Sequence, residues 1–412
     1  MRHNLAVGLT KRLWEEEQER GWRSLGKEIC VDCVHEPALK QVVEENAIEA
    51  TCSYCGREAS DELAGCDADA VMEVIGKAFH TEYSHPDEEL PWDEGEYVGK
   101  YFDTWDLLSM LGEDIGDDAF EEDIVEAFGA TAWCERDYFQ TKEGDALAFS
   151  WQRFADVVKY ERRYLFLQLD EPDEYAEAHD VTPAQMLSKL GELVARHDLL
   201  RTLPAETKVF RGRARAAGEA FTTASELGTA PREHAFSNRM SAAGIAVFYG
   251  ALDRDTAIAE IAPAVSDEKP AVSLGTFATR DDFRVINLAA LPAVPSIFDA
   301  AARGDRPTLG FLHHFARTVS QSVGNTRAAD REVVEFIPTQ VVTEYFWHAF
   351  GDEYEAGRID GILYRSARHD GGDCCALFIP HENCLEPGEP PRSDAPAAEL
   401  VSAEQIDDPP RR

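Results

Sequence analysis

The sequence lacks the features that would assign it to a membrane or secretory class. No run of about 18 apolar residues occurs, so we expect no transmembrane helix. Residues 1–22 carry the acidic run Glu15-Glu16-Glu17 and no apolar core, a pattern that is atypical of a signal peptide. We therefore expect a cytoplasmic protein without a membrane partner.

Positive charge is also scarce. The chain has 78 acidic and 40 basic residues in 412, which gives a formal net charge of -38. Nucleic-acid binding needs a basic footprint, so we expect no nucleic-acid partner. A local basic pocket for a small phosphate ligand stays compatible with this charge, and the excess of arginine over lysine suits bidentate phosphate contacts. Adaptation to a salty cytoplasm is an alternative explanation of the acidity.

Two further absences narrow the chemistry. No glycine-rich loop links a strand pattern to a helix pattern, which argues against a Rossmann site, and no Ser-His-Asp or phosphate-loop signature occurs. The nine cysteines are an odd number and are unevenly spaced, so a secreted disulfide framework is not expected.

Four of the cysteines form two close pairs. Cys30 and Cys33 are followed after eighteen intervening residues by Cys52 and Cys55. This spacing predicts a structural zinc site with four thiolate ligands, a closed tetrahedron that leaves no position for chemistry. Zinc in such a knuckle supplies on the order of 10 kcal/mol of folding free energy. The alternative is four reduced, buried cysteines.

The length and the 44% hydrophobic content allow two or three domains, each with a buried core. Residues 1–26 are predicted to form a charged helix. Apolar residues recur at three- and four-residue spacing from Ala68 to about Leu200, which predicts further helices in that region. Short β-type runs then alternate with helices, so the predicted fold class is α+β with an antiparallel or mixed sheet. The predicted domains are 1–66 (helix and zinc knuckle), 67–200 (helical), 201–388 (mixed sheet) and 389–412 (disordered acidic tail).

The predicted strands and helices of the last large domain are these. The strands are Val209-Phe210-Arg211, Ile245 to Tyr249, Val272 to Thr279, Arg284 to Leu288 and Ala376 to Ile379. The helices follow Asp255-Thr256 and span about Gly310 to Ser322 and about Pro338 to Ala349.

Four polar residues stand in apolar, strand-like or helix-like surroundings within residues 209–260. They are Arg211, Arg239, Tyr249 and Glu260. A buried guanidinium or carboxylate costs free energy unless a partner pairs with it, so such a group suggests a site. Each residue alone also fits a simpler interpretation: a solvated glutamate, an edge arginine or a core tyrosine.

The front half resembles the HEPN/RES N-terminal domain, a helical module with paired cysteines that precedes RES domains. The resemblance covers roughly residues 25–175 and rests on the cysteine pairs, Trp133-Cys134 and the block from Trp151 to Phe166. Ribonucleases of the wider HEPN class carry Arg-x4-His, and no arginine in this chain has a histidine at that spacing. We therefore expect no nuclease activity in this half.

The second half resembles the RES domain over nearly all of residues 205–385. The matching positions, in order, are Phe210-Arg211, Arg239, Tyr249, Thr256 to Glu260, Ile337 to Gln340, Asp360 to Arg368 and Cys375 to Phe378. RES proteins are similar in fold to ADP-ribosyltransferases and are bacterial toxins that degrade NAD. The resemblance therefore implies an NAD-degrading enzyme, a toxin or a stress or defence effector, that is active towards the nicotinamide–ribose bond. It also implies water or phosphate as the acceptor, and an antitoxin or regulatory protein as a possible partner.

The residue types suit that chemistry. Cleavage of an N-glycosidic bond passes through an oxocarbenium-like transition state, which a carboxylate such as Glu260 can stabilise. Arg211 and Arg239 can bind the pyrophosphate, Tyr249 can stack on nicotinamide, and Ser366 can donate to a phosphate or ribose oxygen. We expect Glu260, Arg239 and Tyr249 to be catalytic. A protein ADP-ribosyltransferase and a non-catalytic interaction module are the two alternatives.

Overall fold

The computed structural model describes residues 15, 17, 19–58, 64–112, 114–168, 179–320 and 334–409. The chain forms two compact units: Met1–Gln140 with Val294–Arg306, and Thr141–Ala293 with Pro307–Arg412. The predicted helix over residues 1–26 lies mostly outside the described residues, and its described part ends at Arg20. Within the ranges given above, no helix is both long enough and apolar enough to span a membrane.

The first unit combines helices with short strands. Its helices are α1 (Pro37–Glu45), α2 (Ala68–Glu82), α3 (Pro86–Glu89), α4 (Thr104–Leu111) and α5 (Asp118–Phe128). Its strands are β1 (Glu28–Cys30), β2 (Gly65–Asp67), β3 (Tyr83–Ser84), β4 (Trp92–Asp93), β5 (Glu96–Tyr97), β6 (Phe102–Asp103) and β7 (Ala132–Glu135). The Asp67 carboxylate caps α2 by accepting the Asp69 N–H, so the helix begins where the apolar periodicity predicts it.

Aromatic side chains form the centre of this unit. The Phe79 ring lies 5.3 Å from Phe128 and 5.7 Å from Trp133, measured between ring centroids. The buried Trp133 indole donates to the Thr104 hydroxyl at 3.0 Å, which satisfies its polar edge. The helices α2 and α5 are therefore joined to the short sheet of β3, β7 and β6.

The second unit is built on one large sheet. Its helices are α6 (Glu143–Asp156), α7 (Met186–Arg196), α8 (Ala224–Leu227), α9 (Arg254–Ile261), α10 (Arg306–Ser320), α11 (Ile337–His348) and α12 (Phe350–Glu353). Its strands are β8 (Leu200–Leu203), β9 (Lys208–Arg215), β10 (Phe248–Ala251), β11 (Ala271–Thr279), β12 (Phe283–Asn287), β13 (Gly361–Arg365), β14 (Asp373–Leu377), β15 (Cys384–Leu385) and β16 (Ala398–Ile406).

The nine strands follow the order β15-β16-β11-β9-β10-β14-β13-β12-β8. The pairs β12/β13 and β15/β16 are parallel, and the other described pairs are antiparallel. Side chains alternate between two cores: Phe248 packs in one, while its neighbour Tyr249 packs against the other. The sheet is therefore mixed and covered on both faces, and the predicted combination of helices with a mixed sheet is confirmed.

The predicted strands and helices of the second unit lie where the structure has them, but some of their boundaries differ. Strand β10 begins at Phe248, three residues after the predicted start, and β14 ends at Leu377, inside the predicted run. The three predicted helices correspond to α9, α10 and α11. The hydrophobic pattern located these elements because each one buries a face.

The prediction of a disordered tail over residues 389–412 is wrong for its central part. Strand β16 pairs with β11 along Ala398 to Ile406 and buries Ala398 and Leu400. Backbone hydrogen bonds, which depend little on side-chain composition, hold this strand between β15 and β11, and Glu404 adds an ion pair to Arg254 at 2.6 Å. The acidic, proline-rich composition of residues 389–412 therefore did not indicate the ordered strand β16.

The compact units also differ from the predicted domain boundaries. Residues 141–200, predicted to belong to a helical domain, group with the sheet unit, because α6 and α7 pack in the same core as α11. Residues 294–306, predicted to lie in the sheet domain, group with the first unit, where Phe298 lies beside Phe79. Sequence position alone does not reveal such non-contiguous units.

Candidate active site

The carboxylate of Glu260 meets the hydroxyl of Ser366. Glu260 stands in the last turn of α9, and Ser366 follows β13 directly. The Ser366 Oγ donates to Glu260 Oε1 at 2.5 Å and accepts the N–H groups of Arg368 at 3.1 Å and His369 at 3.0 Å. The hydroxyl is therefore fully used, and its one proton orients the carboxylate. The Arg368 Nε lies 3.7 Å from the other oxygen, Oε2.

A hydrogen bond holds the loop after Ser366 against the start of α9. Thr256 Oγ1 donates to Asp253 Oδ2 at 2.6 Å and lies 2.6 Å from His369 Nδ1. A hydroxyl has one proton and an ionised carboxylate only accepts, so the Nδ1 of His369 carries the proton in this contact. A Cβ at Gly372 would lie 2.1 Å from Thr256 Oγ1, so this close approach requires glycine.

Tyr249 and Arg211 lie on the neighbouring strands β10 and β9. The Tyr249 hydroxyl donates to Ser241 Oγ at 2.9 Å and accepts the Met240 N–H at 3.2 Å. Burial raises the pKa of Tyr249 to about 12, so the phenol stays neutral. The Arg211 guanidinium donates to the Tyr249 carbonyl at 2.7 Å and lies 5.5 Å from the Phe248 ring centre. Burial lowers the pKa of Arg211.

Arg239 lies on a segment that side chains of α11 hold in place. Its guanidinium donates to the Val319 carbonyl in the last turn of α10 at 2.6 Å, and its own carbonyl accepts the Thr339 hydroxyl at 2.6 Å. The buried Gln340 amide secures the same segment through three acceptors. They are Ser237 Oγ at 2.9 Å, the Asn238 carbonyl at 2.7 Å and the Ser241 carbonyl at 3.2 Å.

The structure brings together only part of the predicted set. Glu260 and Ser366 are in direct contact. The Arg211 guanidinium bonds the backbone carbonyl of Tyr249 and lies beside Phe248, in the core on the other face of the sheet from the Tyr249 ring. Burial lowers the pKa of Arg239, and electrostatic interactions with Tyr364, Glu260 and Tyr249 oppose this shift. The five side chains come from separate strands, loops and one helix. Their roles in catalysis or ligand binding stay predictions.

Arg239 also lines a cavity of about 360 Å³ between α6, α10 and α11. His314 and Thr318 of α10 line the same cavity. Lys159 lines it as well, but its ammonium is paired with Glu335 at 2.6 Å. This cavity therefore offers the Arg239 guanidinium as its main positive group.

Three residues around the site were not predicted as site residues, although two of them, Gln340 and Tyr364, lie in segments that resemble the RES domain. His369 and Gln340 act on hydroxyl or backbone groups distant in sequence, which no local pattern indicates. The available signals were weak: a histidine three residues after Ser366, and an amide within an otherwise apolar helical run. Tyr364 is a third such residue, and burial raises its pKa well above the ordinary value beside Glu260 and Tyr249.

The four paired cysteines form a cluster in the first unit. All four Sγ atoms lie within 4.8 Å of one another. The distance is 3.7 Å for Cys30–Cys33, 3.6 Å for Cys30–Cys55 and 3.8 Å for Cys33–Cys52. Tetrahedral ligands about 2.3 Å from a zinc ion are separated by about 3.8 Å. Arg57 lowers the pKa of Cys55 to about 6 by hydrogen bonding. The cluster is thus compatible with a zinc knuckle.

Comparison with protein-family models gives two matches. The HEPN/RES N-terminal domain 1 matches residues 45–172, and the RES domain matches residues 208–395. The chain contains a HEPN/RES N-terminal domain 1 and a RES domain. Searches of the curated proteins and of the solved structures gave no significant match. The predicted family is confirmed for both halves.

The RES match contains Arg211, Arg239, Tyr249, Glu260 and Ser366. The family supports, in general terms, an enzymatic and toxin-type function directed at NAD. In the front half, Cys52 and Cys55 lie inside the matched residues, while Cys30 and Cys33 precede them. The four-cysteine pattern therefore extends beyond the matched part of the N-terminal domain.

Proposed function

We propose that this RES domain protein cleaves the nicotinamide–ribose bond of NAD and transfers ADP-ribose to water or to inorganic phosphate. The observation that carries the proposal is the hydrogen bond from Ser366 to Glu260 at 2.5 Å, with Arg368 at 3.7 Å from the second oxygen. A carboxylate held in one orientation is the group that an oxocarbenium-like transition state requires.

The reaction balances without an additional redox partner. The bond between ribose C1′ and the pyridinium nitrogen breaks, and its electron pair stays with nitrogen, so neutral nicotinamide leaves. An oxygen of water or phosphate then bonds to C1′, and the proton of that oxygen passes to solvent. Glu260 would stabilise the positive charge at C1′, Tyr249 would contact the nicotinamide ring, and Arg239 would bind phosphate oxygens.

The test follows NAD and its products by chromatography, with and without phosphate. We expect Glu260→Gln to reduce the rate about 10²–10³-fold, because an oriented carboxylate acts mainly in the transition state. Glu268→Gln changes an exposed carboxylate that follows α9 and is the matched control, with an unchanged rate.

The products decide between the acceptors. ADP-ribose indicates water, and its 1″-phosphate indicates phosphorolysis. Label retained on protein would instead show a protein ADP-ribosyltransferase. Full NAD loss with the Glu260→Gln protein, or no loss with the unchanged protein, would overturn the enzymatic proposal and favour the interaction module.

Two further parts of the proposal concern binding. We infer that Cys30, Cys33, Cys52 and Cys55 hold a structural zinc ion, which the Sγ distances support. A toxin that consumes NAD requires control inside its own cell, so an antitoxin or regulatory protein is the expected macromolecular partner. Arrest of growth on expression, abolished by Glu260→Gln, is the corresponding cellular test.

A further inference from the structure

A second and larger cavity, of about 710 Å³, lies directly beside Ser366. One wall is the segment after β12, with Leu288 and Leu291, and the opposite wall is one face of α10, with His313 and Arg317. Arg365 and Ser366, at the end of β13, form its floor. The hydroxyl of the same Ser366 contacts the Glu260 carboxylate.

The position of the cavity follows from the sheet. Strands β12 and β13 are parallel neighbours, so their carboxyl ends open to the same side. Asn287, the last residue of β12, accepts the N–H groups of Ala289 at 3.1 Å and Ala290 at 3.2 Å, and turns the chain away from the sheet. Crevices beyond the carboxyl ends of parallel strands are common ligand sites.

The charge of the lining contrasts with that of the chain. The protein carries a net charge of -38, yet no aspartate or glutamate is among the described residues that line this cavity. Arg365 is paired with Asp373 at 2.8 Å, and His313 Nε2 lies 2.9 Å from the Pro292 carbonyl. Arg317 is exposed and has no carboxylate partner within the described part of the chain. Arg317 is therefore the cation available to a ligand.

We infer that this cavity binds the adenosine-phosphate half of a dinucleotide, with Arg317 holding the phosphate and the apolar wall of Leu288 and Leu291 receiving the base. This inference rests on the proposed function for the identity of the dinucleotide. If nicotinamide lies at Glu260 and Tyr249, the remaining half of the substrate needs an adjacent cavity that is apolar, positively charged and of nucleotide size. The cavity beside Ser366 has these properties, and Arg317 becomes a specificity-determining residue.

The test measures direct binding by calorimetry, which does not depend on turnover. The ligands are AMP, ADP-ribose, nicotinamide mononucleotide and inorganic phosphate. We expect Arg317→Ala to weaken AMP and ADP-ribose binding about tenfold or more, because a charge-assisted hydrogen bond is lost. Arg317→Lys should restore part of the affinity, and nicotinamide mononucleotide should change by less than about twofold.

Two other variants control for indirect effects. Ala290→Trp introduces bulk at an exposed position of the turn next to the cavity and should weaken AMP binding without removing a charge. Arg232→Ala removes an exposed arginine outside the lining and should leave every affinity unchanged. The unchanged circular-dichroism spectrum of each variant confirms its fold.

The outcomes separate this inference from the proposed function. AMP binding that is lost in Arg317→Ala supports the nucleotide cavity even if the protein does not consume NAD. NAD consumption with AMP affinity unaffected by Arg317→Ala overturns the cavity inference and leaves the reaction intact. Phosphate that binds as tightly as AMP, with the same loss in Arg317→Ala, would show a simple phosphate site and also overturn it.

Discussion

The Ser366 hydroxyl has one proton, which it donates in the hydrogen bond to Glu260. Because the same oxygen accepts two backbone N–H groups, Ser366 positions the carboxylate and also closes the turn that leads to His369. A serine with these three hydrogen bonds has little remaining capacity to donate to a ligand. The direct contact of Ser366 with a phosphate or ribose oxygen, expected from its residue type, therefore requires rearrangement of the hydrogen bond to Glu260.

Tyr249 connects the site to the segment that carries Arg239. Replacement Tyr249→Phe keeps the ring but leaves the Met240 N–H and the Ser241 hydroxyl without their partner. We expect the free energy of unfolding to fall by about 1–2 kcal/mol and NAD affinity to weaken. Urea denaturation measures the first effect and substrate titration the second.

Tyr164→Phe serves as the control for Tyr249→Phe, since the Tyr164 side chain is 86% exposed. Equal unfolding midpoints for the two variants would show that the Tyr249 hydroxyl bonds contribute nothing to stability.

At the scale of elements, the site depends on the loop between β13 and β14 being held against α9. Thr256, near the start of that helix, contacts His369, and Glu260, near its end, contacts Ser366. Two contacts one helical turn apart fix both the position and the rotation of the loop. The helix and the strand end thereby act as a single support for the carboxylate.

Gly372→Ala tests this support. A Cβ at that position would meet Thr256 Oγ1 at 2.1 Å, so the loop has to shift away from α9. We expect destabilisation of about 1–3 kcal/mol and a fall in NAD-consuming activity, because the Ser366–Glu260 hydrogen bond moves with the loop. Thermal unfolding and the NAD assay measure the two effects.

Gly310→Ala provides the comparison, because Gly310 lies within α10 and a Cβ there meets nothing within 4 Å. It should stabilise the protein by about 0.5–1 kcal/mol through helix propensity. A Gly372→Ala protein that retains full activity and stability would contradict the proposed role of the loop.

At the scale of the whole molecule, the first unit has its own aromatic core and its own cysteine cluster. We expect about one zinc ion per chain, measured by atomic emission, and a loss of thermal stability on chelation, because zinc binding contributes to folding free energy. Cys52→Ser should abolish zinc binding and lower the melting temperature.

Cys134→Ala changes a buried cysteine of the same unit that lies outside the cluster. It should retain the metal. Equal zinc content in the Cys52→Ser and Cys134→Ala proteins would exclude the four-cysteine site.

Much of this protein followed from local sequence patterns. The spacing of Cys30, Cys33, Cys52 and Cys55 selected four sulfurs that do lie within 4.8 Å of one another. The alternating and helical periodicities located the helices α9, α10 and α11 and five of the nine described strands of the sheet, because an element that buries one face has a regular hydrophobic pattern. These strands are β9, β10, β11, β12 and β14. The order of motif residues indicated the RES family.

Only the tertiary structure decided how these residues meet. Ser366 contacts a carboxylate 106 residues away, and the cavity with Arg317 arises because β12 and β13 are parallel neighbours. The strand Ala398–Ile406 is ordered although its composition predicts disorder. Contacts between segments distant in sequence determine all three features. The residue type of a side chain, or the presence of a backbone amide, does not specify which distant partner the group will meet.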